Sequence, residues 1–177
     1  CYTIRCESLP GGRGMGEPIR ISIDLPNEVE IVDVRLYEAT SKLLFISSSA
    51  NGFVAKQSDL IAQTRGGKQI LNLAKDEKLQ ICVEAFGDHI VSVGQNRKLL
   101  IFPIAELPEM AKGKGVRIQK FKNSRISDVK TINIAEGLSW NDPAGRLRSI
   151  HDLKEWLGKR ASHGKWAPRG FPKGNKF

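Results

Sequence analysis

The sequence predicts an all-β fold, a propeller-like array of four-stranded blades, and three observations predict it. A Leu-led, glycine-rich basic turn recurs along the chain. Ser8–Ile21 (SLPGGRGMGEPIRI), Asp59–Leu73 (DLIAQTRGGKQILNL) and Glu106–Gln119 (ELPEMAKGKGVRIQ) share one plan, and a weaker copy opens at Asp152-Leu153 and carries Gly158, Lys159 and Arg160. The opening leucines, Leu9, Leu60, Leu107 and Leu153, are spaced by 51, 47 and 46 residues. A period of that size, built from short strands, marks a radial or solenoid β array. Between the copies, short apolar runs carry the strand period of two and end at turn residues. The chain therefore reads as a single repeat domain over residues 1–177, with basic turns near 9–21, 60–73, 107–119 and 153–165 and a basic Gly/Pro-rich tail over 158–177.

Taken in order, Tyr2–Arg5 reads as a strand leading into the first turn. Ile19–Leu25 alternates after it and stops at Pro26-Asn27, and Glu28–Leu36 (EVEIVDVRL) alternates again. Lys42–Ser47 and Phe53–Lys56 flank Ala50-Asn51-Gly52, and Asn-Gly between apolar runs is a hairpin signal. Leu79–Ala85 and His89–Val93 follow the second turn, and Gln95-Asn96-Arg97 leads back into Lys98–Pro103. Aligning the leucines puts Tyr2, Phe53 and Leu100 at one position of successive units. Four short strands per unit of about fifty residues is the pattern of a propeller blade.

The last unit decays. Ile126–Ala135, Gly137–Trp140 and Arg146–Ile150 read as strands around the turn Asn141–Gly145. Ile150–Leu157 reads as a short helical turn with Ile150, Leu153, Trp156 and Leu157 inward. The tail intersperses Trp166, Phe171 and Phe177 among Gly, Pro and cations, which favours packing onto the last blade over stacking on bases.

Composition narrows the function. At 177 residues and 40% hydrophobic content the chain suffices for one domain or one repeat array, with nothing near a transmembrane span. Three cysteines without metal or disulfide spacing fit a reducing compartment. The chain opens on Cys1-Tyr2 inside an expected strand, so a fragment of a longer polypeptide is expected. The net charge of +9 is uneven: residues 1–110 hold 12 Lys/Arg against 14 acids, 111–130 hold seven against one, and 146–177 hold nine against two. A basic field confined to two segments is the footprint of a polyanion partner. No basic amphipathic helix with exposed Trp or Leu is present to meet a membrane, so nucleic acid is favoured.

Catalytic patterns are missing from the sequence. His89, His151 and His163 stand apart without ligands at metal spacing, and Asp88-His89 reads as a hydrogen-bonded turn. Ser47–Ser49 has no nucleophile-elbow pattern, and no glycine cluster matches a Walker loop. No catalytic residue, metal site or cofactor is therefore assigned. The recurrent turns suit another task. Glycine brings the backbone close to a surface with N–H groups outward, and the adjacent Arg or Lys adds a cation, which together suit a phosphate backbone gripped without reading bases.

LPGGRGMGEPIRI, AQTRGGKQILNL, GQNRKLLIFPIAELPEMAKGKGVRIQ and PRGFPKGNKF resemble the C-terminal domain of the A subunit of bacterial DNA topoisomerase IV, in its alphaproteobacterial form. The resemblance spans essentially the whole chain and implies a β-pinwheel that binds and bends duplex DNA on a basic outer rim. It implies an accessory domain of an ATP- and Mg2+-dependent type IIA topoisomerase in the bacterial cytoplasm, with the active-site tyrosine in a preceding domain and the ATPase in the B subunit. The related gyrase A domain wraps DNA through a glutamine-arginine, double-glycine box, of which Gln63–Lys68 and Lys112–Val116 are degenerate versions. Gyrase-type wrapping and a protein-interaction scaffold are the alternatives. The expected phosphate contacts are Arg13, Arg65, Lys68, Lys112, Lys114 and Arg117, extended by Lys120, Lys122, Lys159 and Arg160. Three nearly complete blades and part of another are expected.

Overall fold

Four apolar runs dictate the centre of the molecule: KLLFIS, NGFVAK, HIVSVG and KLLIFP. None alternates cleanly with polar residues, so each strand must bury both faces. In the computed structural model, which describes residues 1–177, they form β1 (Lys42–Ser47), β2 (Asn51–Lys56), β4 (His89–Gly94) and β5 (Lys98–Pro103), two antiparallel hairpins. Each hairpin gains a strand that follows in sequence. β3 (Leu79–Glu84) pairs with β1, and β7 (Ile126–Ile132) pairs with β4. Each sheet is completed by a two-residue strand handed back from the following unit: β6 (Val116–Arg117) onto β2, and β10 (Lys165–Trp166) onto β5. The orders are β3-β1-β2-β6 and β10-β5-β4-β7, with a third, two-stranded sheet of β8 (Leu138–Asn141) and β9 (Leu147–Ile150).

The period of two then sorts the core into layers. Leu44, Ile46 and Val54 of the first sheet meet Ile90, Leu100 and Phe102 of the second. Leu43, Phe45 and Phe53 face the other way, onto Leu60, Ile70 and Leu71 of the second basic turn. Val91, Val93, Leu99 and Ile101 pack on Leu138 and Trp140 of the third sheet and on Leu153, Trp156 and Phe171. The two four-stranded sheets are blades stacked face to face, their central hairpins buried on both sides, whereas β9 of the third sheet is largely exposed. The opening leucines of three turns are core residues: Leu60, Leu107 and Leu153 are 5%, 7% and 3% exposed, whereas Leu9 is 45% exposed. The first copy of the motif does not dock as the others do.

Several expected elements differ. Ile19–Ser22 forms a single α-helical turn, α1, instead of a strand. Glu28–Leu36 is exposed and joins no sheet. β3 and β7 each pair with the first strand of the hairpin before them, whereas residues 28–36 join no such ladder. Tyr2–Arg5 forms no strand either, although Cys1 exchanges two hydrogen bonds with Lys68, the Cys1 amino group donating to Lys68 O (3.0 Å) and Lys68 N–H to Cys1 O (2.8 Å). That places two full blades and half a third in the chain, against the three nearly complete ones expected. In the first hairpin the left-handed residue is Ala50, at φ 60°, and Asn51-Gly52 already belongs to β2. Residues 151–157 turn without forming a helix; Leu153 and Trp156 point inward while Leu157 is exposed.

The third blade is closed by one carboxylate. Asp142 accepts from the N–H groups of Ala144 (2.9 Å) and Arg146 (3.0 Å) and from Nε of Arg146 (3.0 Å) and Arg148 (3.1 Å), pinning the β8–β9 turn. The Arg146 backbone N–H is the main cause that holds its pKa down to about 2, from an ordinary 3.8. A depressed carboxylate contributes stability above its unfolded pKa and loses it as pH falls through the folded one. The hairpin should therefore loosen between pH 3.8 and about 2. Trp140 fluorescence should report that transition in the native chain, and Asp142→Asn should abolish its pH dependence. A variant with the same acid transition would assign it elsewhere.

Candidate nucleic-acid interface

The basic turns lie side by side because each is hydrogen-bonded to the next. Asp24 N–H, at the exit of the first turn, donates to Arg65 O in the second (3.1 Å). Gly113 N–H in the third donates to Ile70 O (3.0 Å), and Asn72 N–H donates to Gly113 O (2.9 Å). Between the third and fourth, Ala161 N–H donates to Ile118 O (2.8 Å) and Lys120 N–H to Ser162 O (3.0 Å). Buried Gln119 fastens the same junction, accepting from Ser92 Oγ (2.9 Å) and donating to Lys98 O (3.1 Å) and His163 O (2.9 Å). The second, third and fourth turns thus form one continuous rim, to which the first is joined only at its exit, through Ile21 and Asp24.

Three glycines repeat along this rim: Gly67, Gly115 and Gly164, at φ 77°, 74° and 75°. A Cβ at these positions would press on the backbone carbonyl of Cys1, Gly52 and Leu99 respectively. Those three carbonyls immediately precede Tyr2, Phe53 and Leu100, so the leucine alignment picks out equivalent positions in space even where Tyr2 lacks a strand. Only glycine combines this left-handed backbone with so close an approach.

The charge on the rim falls into two classes. Lys112, Lys114, Arg117, Lys120, Lys122 and Lys159 are exposed and make no ion pair. Lys68 and Arg65 are engaged: Lys68 Nζ donates to Asp59 O (2.6 Å), and Arg65 donates to Ile21 O (2.9 Å) with Asp24 at 4.0 Å. Ser49 and the Ala74 N–H hold the Glu77 carboxyl below its ordinary range, and the Lys114 and Arg117 charges add to the effect. Lys114 and Arg117 therefore share a field with the exit of the second turn. Arg13 is exposed on the undocked first copy, where the surrounding glycines Gly11, Gly12, Gly14 and Gly16 meet nothing within 4 Å.

Elsewhere the surface carries no convergent chemistry. A cavity of about 410 Å³ between Tyr2, Ile23, Ala62 and Arg65 is lined by no carboxylate, histidine or thiol. His89 Nδ1 is 2.8 Å from Asp88 Oδ1, which also accepts from Ile134 N–H, a structural turn. Burial pushes the Cys82 thiol up to about 12, so it stays protonated near neutrality. No helix is long and apolar enough to cross a membrane.

Residues 41–81 and 88–133 match the DNA gyrase C-terminal domain family, a beta-propeller, and these segments cover the two hairpins, β7 and the start of β3. The A subunit of DNA topoisomerase 4 from Caulobacter vibrioides is 40% identical over 176 residues, 99% of this chain and 23% of that protein. Its counterpart from Rickettsia bellii is also 40% identical, over 99% of this chain and 24% of that protein. This chain belongs to the family of C-terminal domains found in the A subunits of gyrase and topoisomerase IV. It spans about a quarter of the length of the curated relatives it matches. The solved E. coli ParC C-terminal domain superposes with a TM-score of 0.81 at 24% identity, covering 97% of this chain and 74% of that one, which fixes the shared fold.

As a member of this family, the chain distributes its ten expected contacts unevenly. Nine are exposed; of these, Arg65 and Lys68 are engaged, Arg13 lies on the first turn, and the six without an ion pair or hydrogen bond lie between Lys112 and Lys122 and at Lys159. Arg160 is the exception: its Nη1 donates to Arg117 O (2.7 Å), its N–H donates to Glu106 Oε2 (2.9 Å), and its buried Nε has no partner. It clasps the fourth turn to the third. Sequence reasoning missed Gln119 in this role, because a buried amide in a basic segment carries no local signal.

Proposed function

We propose that this chain is the DNA-binding C-terminal domain of a topoisomerase IV A subunit, gripping duplex DNA along the rim without reading its sequence. The observation that carries the reading is the hydrogen-bonded series of turns that gathers six unpaired, exposed cations onto one rim. Unpaired surface cations keep their full charge for phosphates, and each phosphate neutralised releases condensed counterions. Such a row of contacts along stacked blades would favour a bent duplex wherever bending lets more phosphates reach the rim, at an elastic cost of a few kcal/mol. In a parent enzyme the domain would hold the transported duplex for strand passage, with the reactive tyrosine, ATP and Mg2+ handled by preceding domains and the B subunit. The place of such an enzyme is the bacterial nucleoid.

Electrophoretic binding of the purified chain to linear and supercoiled duplex tests this. Retarded complexes at low salt that dissolve at moderate salt are expected. Failure to retard either form at low salt would overturn the reading and leave a protein-interaction scaffold in its place.

A further inference from the structure

Of three tryptophans, Trp140 and Trp156 are buried, while Trp166 is 63% exposed. Its backbone is fixed: β10 pairs Lys165 with Leu99 and Trp166 with Lys98, and Trp156 Nε1 donates to Trp166 O (2.8 Å). Lys98 Nζ lies over its ring, 4.0 Å from the centroid, and most of the side chain remains open. The rest of the tail behaves differently. Phe171 is 3% exposed and packs in the core, tilted against Trp140 and edge-on to Phe177. Packing therefore accounts for the phenylalanines and not for the indole.

The repeat register says where the indole sits. Gln69, Arg117 and Trp166 each lie two residues after the left-handed glycines Gly67, Gly115 and Gly164. Arg117 and Trp166 occupy matching places in the strands handed back, opposite Asn51 and Lys98, and all three side chains are exposed. A rim position that carries an amide in one unit and a guanidinium in the next carries an aromatic face in the third. Exposed Lys165 and His163 flank it.

We infer that Trp166 is a non-ionic DNA contact, whose open face packs on a base or deoxyribose edge laid bare where the duplex bends against the rim. This rests on the reading that the rim binds duplex DNA. An aromatic face accepts any base, so the contact adds affinity without sequence preference. Lys98 on the opposite side strengthens the pair by cation–π attraction and puts a cation beside the neighbouring phosphate. The strand holds the ring in place, which lowers the ordering cost of binding.

The test compares the native chain with Trp166→Ala and Trp166→Phe on a short duplex across a salt series. Trp166→Ala should bind about tenfold more weakly, the low end of what one aromatic contact to a nucleotide contributes. Its salt slope should equal that of the native chain, because an indole releases no counterion. Trp166→Phe should recover most of the affinity, and in the native complex DNA should shield the exposed tryptophan from acrylamide quenching. Native-like affinity in Trp166→Ala, or unchanged acrylamide access in the complex, would overturn the inference while the cationic rim stands. A native chain that binds no DNA would overturn the rim reading and this inference together.

Discussion

Replacing Lys112, Lys114 and Arg117 together by alanine should shallow the slope of log affinity against log salt by about two to three units, because each lost phosphate contact removes about 0.9 of slope. All three are exposed and unpaired on the third turn, within the segment 111–130 that holds seven cations against one acid. The weakening should be the same on unrelated duplexes, since phosphate contacts position the protein and carry no sequence information. Folding should hardly change, because surface cations outside buried pairs alter stability by about half a kcal/mol. Arg160→Ala should behave in the opposite way: its guanidinium bonds to Arg117 O and is partly buried, so the loss falls on the packing of the fourth turn. Salt titration of both variants separates the two roles. A folded triple variant with the native slope would make the third turn a mere connector.

Gly115→Ala should be among the most destabilising single substitutions. The residue sits at φ 74°, and a Cβ there would run into the backbone of Gly52. The left-handed conformation alone costs a non-glycine residue about 1–2 kcal/mol. The clash adds to it because β2 is held in a sheet buried on both faces and cannot retreat. A loss of about 3 kcal/mol or more follows, a fall of about 6–12 °C in Tm for a domain of this size. Gly66→Ala is the matched control, since nothing lies within 4 Å of that position. Equal Tm values for the two variants would show that the glycine spacing is not what docks each turn onto the preceding blade.

Sequence patterning revealed the blades where burial is local and the chain pairs with itself. KLLFIS, HIVSVG and KLLIFP are continuous apolar runs bounded by turn residues, and all became strands buried on both faces. The leucine spacing exposed the repeat, and its alignment of Tyr2, Phe53 and Leu100 matches the three carbonyls that meet Gly67, Gly115 and Gly164. What alternation could not disclose was pairing across units. Glu28–Leu36 has a strand's rhythm and no ladder, whereas β6 and β10 are two residues long and exist only because the preceding blade offers an edge. The basic turns were legible as turns. Which of their cations are free was not, because Lys68, Arg65 and Arg160 are engaged by carbonyls from distant segments. Trp166 and Phe171 are similar in sequence context, and only the register of β10 separates an exposed indole from a core ring.

The most direct measurement of the central claim is the binding isotherm of the native chain on two duplexes of unrelated sequence, repeated across a salt series. If the rim engages about five or more phosphates, log affinity should fall linearly with log salt at a slope of about −4.5 or steeper, and the two duplexes should give superimposable lines. A slope near zero, or a large affinity difference between the two sequences at equal salt, would contradict a cationic rim that grips duplex DNA by its phosphates.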